Sequence, residues 1–180
     1  MDKQWLARCQ SGDEQALREL VDEHQAYLLR FCISILNDRD EAEDAVQEAF
    51  IAAIKNLSSF RQESAFRTWL SSIALNVCRG MHRKRARQMA LGEALVEKGN
   101  EPQNEPGPEG EALRNERQQQ IWDSVASLDE KHRMPIILHY YHDLPTQEIA
   151  EILGIRVGTV HSRLANARKK ISGALLRAAQ

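Results

Sequence analysis

The chain has 180 residues, 42% of them hydrophobic and 28% charged, which allows one domain or two small ones built on modest cores. Few strand-like alternations, no apolar run long enough to span a bilayer and an amphipathic rather than signal-like start (MDKQWLARCQSGDE) point to a soluble, helical, cytoplasmic protein. The formal net charge of −2 argues by itself against nucleic-acid binding, but the distribution of charge along the chain argues the other way.

Trp5, Leu6 and Cys9 begin an apolar face that breaks at Ser11-Gly12-Asp13. A longer helix is predicted from about Glu14 to Leu36, with Leu17, Leu20, Val21, His24, Tyr27, Leu28, Phe31 and Ile35 on one stripe. His24 lies on that stripe with no partner at metal spacing, so it reads as a core or boundary histidine. Cys9, Cys32 and Cys78 are odd in number, lack ligand spacing and sit in helical patterns, which suits reduced, mostly buried thiols.

Asn37-Asp38 makes a turn and can cap a helix from about Arg39 to Leu57. Val46, Ala49, Phe50, Ala53 and Leu57 form its expected buried face. Asp40, Glu41, Asp44, Gln47 and Glu48 lie opposite, with Ile51 among them. Paired carboxylates can serve acid–base or metal chemistry, but these have no histidine nearby in sequence. An isoleucine within a solvated acidic face favours a protein-binding surface.

Residues 58–65 (SSFRQESA) form a short polar loop carrying Phe60, and the helix beginning near Phe66 is expected to bury Trp69, Leu70, Ile73 and Val77. That helix then turns basic through Arg79, Arg83, Lys84, Arg85 and Arg87; residues 67–91 hold 6 basic and no acidic side chains. An aromatic-bearing loop beside a cationic helix is what single-stranded DNA requires, a ring to hold a base and cations to hold phosphates. For Trp69, core packing is the equal alternative. Gly80 inside this helix costs about 1 kcal/mol against alanine if the helix is continuous.

From Gly92 the periodicity fades, and GNEPQNEPGPEGE over residues 99–111 has three prolines, three glycines, four glutamates and no aliphatic residue, the composition of a flexible linker. Helical patterning resumes near Leu113, with Ile121, Val125 and Leu128 on one face. Asp129 can then cap a helix carrying Ile136, Ile137, Leu138 and Tyr141. His139, His142 and Asp143 would need further ligands to make a metal site, and the spacing supplies none.

DLPTQEIAEILGIRVGTVHSRLANARKKISGALL, from Asp143 to Leu176, organises the rest. Ile149, Ile152 and Leu153 recur at helical spacing until Gly154 stops the helix in a left-handed conformation. A second run follows, with Val160, Leu164, Ala167, Ile171 and Leu175 on one face. Ala150 four residues before the turn glycine and Val160 six after it fit a helix-turn-helix. Thr159, Ser162, Arg163, Asn166, Lys169 and Lys170 point away from the apolar face, and residues 154–180 hold 6 basic and no acidic side chains. Hydroxyls, an amide and cations on one helix suit base edges and phosphates in a major groove.

DAVQEAF followed by SFRQESAFRTWLSSIALNVCRGMHRKRAR resembles the second conserved region of bacterial sigma factors, and LDEKHRMPIILHYYHDLPTQEIAEILGIRVGTVHSRLANARKKI resembles their fourth. Both regions in this order, with nothing else attached, are similar to the extracytoplasmic-function group. The resemblance implies that Asp44, Gln47, Glu48 and Ile51 dock on the clamp helices of core RNA polymerase. It implies that Phe60, Arg61, Ser64, Trp69 and Asn76 meet a flipped base of the minus-ten element, with Arg79, Arg83, Lys84 and Arg85 on the strand. It implies further that Thr159, His161, Ser162, Arg163, Asn166, Lys169 and Lys170 contact the minus-thirty-five element. Three positions depart from the family pattern. Pro135 should kink its helix or delay its start. Pro145 replaces a usual capping serine, leaving Thr146 as a substitute cap. His161 replaces a usual lysine or arginine, so one phosphate contact is expected to be weaker or pH-dependent.

The expected fold is all-α: a region-2-like domain over residues 1–91, a flexible acidic linker over 92–112 and a region-4-like helix-turn-helix domain over 113–180. The expected function is promoter-specific transcription initiation in a stress or envelope response. The partners are core RNA polymerase, promoter DNA and, where one exists, an anti-sigma factor. No cofactor, metal or small-molecule substrate is expected, because no nucleophile, nucleotide loop or ligand cluster appears. The rival is a stand-alone helix-turn-helix repressor or activator, which calls for a dimerisation seam and leaves the basic helix at 66–87 without a role.

Overall fold

The computed structural model describes residues 3–90 and 120–178; the expected linker at 92–112 and the helix start near Leu113 lie outside the described residues. Among the described residues every regular element is helical, as expected: α1 (Lys3–Gln10), α2 (Glu14–Leu36), α3 (Arg39–Lys55), a 3-10 turn (Leu57–Ser59), α4 (Phe66–Ala90), α5 (120–126), α6 (Glu130–Ile136), a π turn (Ile137–Tyr141), α7 (Thr146–Leu153) and α8 (Val157–Ala178). The chain divides into two compact units, the first carrying α1–α4 and the second built around α5, α6 and α8. No helix among the described residues is long and apolar enough to cross a membrane.

Local chemistry sets the boundaries in the first unit. Asp13 caps α2 by accepting from the Ala16 N–H at 3.0 Å, and Asp38 caps α3 by accepting from the Glu41 N–H at 3.0 Å. Between them Asn37 takes the left-handed conformation (φ 54°) that ends α2, its N–H reaching the Ile33 carbonyl at 2.8 Å. α2 buries Leu20, Leu28, Phe31, Cys32 and Ile35. α3 meets its neighbours through Ala42, Ala45, Ala49 and Ala53, all fully buried or nearly so, while Val46 is only half-buried.

α4 packs against both α2 and α3, which moves its buried stripe from the one expected. Phe66, Leu70, Ala74, Leu75 and Cys78 are buried, and Trp69, Ile73 and Val77 only partly so. Ser71 is also buried; its hydroxyl donates to the Arg67 carbonyl at 2.8 Å and lies 3.0 Å from the Tyr27 hydroxyl, so the polar group is satisfied. The helix runs unbroken through Gly80, where a methyl group would come no closer than 4.0 Å to the Arg83 Nη2. Gly80→Ala should therefore stabilise this unit by up to about 1 kcal/mol, read as a higher urea midpoint with unchanged slope.

The second unit buries Val125, Leu128, Met134, Leu138, Leu144, Ile149, Ala150, Val160, Leu164 and Ala167. Gly154 has φ 65° as the turn requires, and the Ile155 N–H reaches back to the Ala150 carbonyl at 3.0 Å. Pro135 does not delay α6, which starts at Glu130; the bonding instead widens to a π turn immediately after the proline, with the His142 N–H reaching the Ile137 carbonyl at 3.2 Å. Tyr141, the last residue of that turn, is 50% exposed. Ile121 is likewise 41% exposed. Pro145, not Thr146, occupies the cap position of α7: its carbonyl accepts the first helical bond, from Ile149 N–H at 3.1 Å.

Candidate nucleic-acid interface

Three surfaces carry the candidate residues. The first lies on α8, where the buried run Val160, Leu164, Ala167 fixes the opposite side outward. Ser162, Asn166 and Lys169 stand exposed there, with Thr159 and Arg163 half-buried on the flank. The remaining two candidates are tethered within the unit. The His161 Nε2 lies 3.2 Å from the Thr146 Oγ1 at the start of α7, so that hydroxyl binds the histidine instead of capping its helix. The Lys170 ammonium reaches α6, 3.5 Å from Asp129 Oδ1 and 3.3 Å from His132 Nδ1. Asp129 stands at the cap position of α6, yet its side chain makes no capping bond. Its carboxylate instead binds His132, which holds it below the usual carboxylate range, with smaller help from Lys170 and Lys131.

The second surface joins the Phe60 loop to α4. Phe60 does not offer its ring to solvent. It is 6% exposed, edge-on to Phe66 with centroids 5.4 Å apart and 5.1 Å from Trp69. The reason is local: two aromatic residues on the first turn of α4 close over the loop, and the Gln10 side chain donates to the Leu57 carbonyl at 3.0 Å from the other side. Trp69 is half-buried and retains an accessible part, Arg61 is exposed, Ser64 is half-buried, and Asn76 stands exposed one turn past Ser72. Arg83 and Lys84 are exposed; Arg79 is half-buried; Arg85 turns toward α3 and meets the Glu41 carboxylate at 3.5 Å.

The third surface is the outer side of α3. Asp44, Gln47, Glu48 and Ile51 stand exposed at helical spacing on one face, Ile51 at 54%. Ile54, three residues further on, extends the face and is 37% exposed. The i, i+3 spacing from Ile51 was the available signal for it. A further exposed apolar region, not expected from the sequence, lies at the C-terminal half of α8. There Ile121, Trp122, Tyr140, Ile171 and Leu175 line a cleft flanked by Arg168, whose guanidinium carbon is 5.9 Å from the Tyr140 ring centre.

His24 packs 5.1 Å from the Phe66 ring, and burial pushes its pKa below the ordinary imidazole value. The three thiols are buried. A hydrogen bond with Cys78 and then burial push the Cys32 thiol up, and burial does the same to Cys9. The His139 ring nitrogen lies 3.1 Å from the Leu144 carbonyl, and among the described residues no three His, Cys, Asp or Glu side chains converge as a metal site requires.

These surfaces belong to a recognisable class, helical proteins that pair a helix with a basic C-terminal half with a helix-turn-helix. Residues 20–88 match the family model of Sigma-70 region 2, and residues 118–171 that of Sigma-70, region 4. The RNA polymerase sigma-H factor of Pseudomonas aeruginosa is 34% identical, the match covering 97% of this chain and 93% of that one. The ECF RNA polymerase sigma-E factor of Haemophilus influenzae is 35% identical over 94% and 93% of the two chains, and the ECF sigma factor SigW of Bacillus subtilis 32% identical over 95% of each. Among solved structures, CnrH in complex with the cytosolic domain of CnrY superposes with a TM-score of 0.68 at 27% identity over 99% of each chain. The sigma factor RpoE of Bartonella quintana in complex with the anti-sigma factor NepR gives 0.69 at 25% identity over 88% of this chain and 95% of that one. The chain belongs to the sigma-70 family of bacterial RNA polymerase sigma factors, in its extracytoplasmic-function group.

Proposed function

We propose that this sigma factor divides promoter recognition between its two units, acting in the cytoplasm in a stress or envelope response and leaving catalysis to core RNA polymerase. The observation that carries the reading is the placement of one exposed acidic–apolar face and two basic faces on separate helices, α3, α4 and α8. The exposed Asp44, Gln47, Glu48, Ile51 stripe suits a basic protein surface with an apolar centre, and it is the face that would dock on the clamp helices of core polymerase. Trp69 with Asn76, Arg61 and Ser64 would hold an unstacked base of the minus-ten element, while Arg79, Arg83 and Lys84 track the strand. Phe60 supports that site from beneath, and Arg85 spans α3 and α4. Ser162, Asn166 and Thr159 face base edges of the minus-thirty-five element, Arg163 is within reach of guanine, and Lys169 meets phosphate. The sequence segment 92–112 connects the two reading units. The solved relatives bound to CnrY and NepR support an anti-sigma factor as a further partner for this chain.

The test is run-off transcription with core polymerase on genomic fragments, comparing wild type with Asp44→Ala/Gln47→Ala/Glu48→Ala. Exposed-face changes alter stability little. The triple variant should keep its helicity and lose core affinity at least about tenfold, since each lost polar contact at an interface is worth roughly 1 kcal/mol. Unchanged affinity would return the acidic stripe to plain solvated surface.

A further inference from the structure

Lys170 presents a puzzle on electrostatic grounds. It sits on the helix expected to contact DNA, in a stretch with no acidic residue, yet its ammonium points along the flank of α8 into the start of α6. There two donors, the His132 ring N–H and the Lys170 ammonium, converge on the Asp129 Oδ1, while the Lys131 ammonium lies 3.5 Å from the Oδ2. His132 is buried, so its ring depends on this carboxylate for hydrogen-bond balance. Lys170 is one turn from Ala167, which is wholly buried; a tether at that point controls rotation of α8 about its own axis. His161, bonded to Thr146 on the opposite flank, holds the other end of the same segment. Of the residues expected to touch bases, Ser162, Arg163 and Asn166 lie between these anchors, and Thr159 lies two residues before the first.

We infer that Asp129, His132 and Lys170 form a positioning clasp that sets the angle at which α8 presents its base-reading side chains, with Lys170 acting through Asp129 and not through phosphate. The inference rests on the assignment of α8 as the minus-thirty-five reader. It makes two opposite-signed demands. Removing a cation that neutralises a phosphate lowers the dependence of binding on salt by about one ion, whereas removing a positioning cation leaves that slope alone. Removing the acidic Asp129 near DNA should strengthen binding on charge alone, whereas removing it from a clasp blurs discrimination.

The experiment uses holoenzyme formed from the full chain and core polymerase. Occupancy of promoters with matched and singly mismatched minus-thirty-five elements is measured over a range of KCl. Lys170→Met and Asp129→Asn are both expected to reduce the preference for the matched element about tenfold, the scale of one base-pair mismatch, with the salt slope unchanged. Lys170→Arg should restore the preference, and Lys169→Met should lower the slope while keeping the preference. A lowered slope with intact preference in Lys170→Met, or full preference in Asp129→Asn, overturns the clasp. If Lys170→Met melts below the assay temperature, the Asp129→Asn and Lys170→Arg pair decides the matter. A wild-type holoenzyme indifferent to the minus-thirty-five sequence would overturn the assignment of α8 itself, a result distinct from failure of the clasp.

Discussion

The purified chain alone should show little sequence-specific binding to a promoter duplex, and adding core RNA polymerase should raise specific occupancy at least about a thousandfold and open the minus-ten element. Each basic face is small. At α8, Lys169 and Arg163, with the exposed Arg156 just before the helix, are the nearby cations that remain for DNA once Lys170 turns to α6 and Arg168 to Tyr140. Few neutralised phosphates mean weak binding that salt readily abolishes. The acidic stretches at residues 10–64, with 12 acidic against 5 basic side chains, and 93–130, with 10 against 3, repel duplex DNA until a partner covers them. Filter binding of the free chain, followed by fluorescence of a base analogue in the minus-ten element after core is added, separates the steps. Tight specific binding by the chain alone, with no opening when core is present, would favour a stand-alone repressor or activator.

Phe60→Ala should unfold the first unit or nearly so. The side chain is buried between Phe66 and Trp69, and truncating a buried phenylalanine costs about 3–5 kcal/mol. A domain of this size holds roughly 5–15 kcal/mol in all, so the loss consumes much of it. Far-UV circular dichroism in urea should show a midpoint lowered well below wild type for Phe60→Ala, with Phe60→Leu falling between. If Phe60 instead contacted a base directly, its alanine variant would keep the wild-type midpoint and lose only promoter opening. Trp69→Ala, at a half-buried position, should lie closer to that second pattern.

What could be foreseen from the sequence follows the range of the interactions concerned. The starts of α2 and α3 and the turn at Gly154 were foreseen because Asp13, Asp38 and Gly154 act on backbone within a few residues. The outward set on α3 was foreseen for the same reason, since helical spacing alone places Asp44, Gln47, Glu48 and Ile51 together. Phe60 misled because an aromatic ring in a polar loop reads as available, and its burial depends on α4 folding back over it. The ion pair of Lys170 is not legible in the sequence, because its carboxylate partner is 41 residues earlier in the chain, beyond any local pattern. The exposure of Tyr141 is not legible either, because the π turn after Pro135 breaks the helical period that the sequence suggests.

The row of alanines on α3 has a consequence for how its outer side meets a partner. Ala42, Ala45, Ala49 and Ala53 have no side-chain torsions, so along this row, with Phe50 the one large side chain of α3 buried beside it, the helix sits close to its neighbours. No alanine of that row can swing aside to absorb a larger residue, and an added methylene group there forces its surroundings to shift. Asp44, Gln47, Glu48 and Ile51 are therefore carried on a rigid rail. Their spacing is fixed before any encounter, and ordering that surface adds little entropic cost to complex formation.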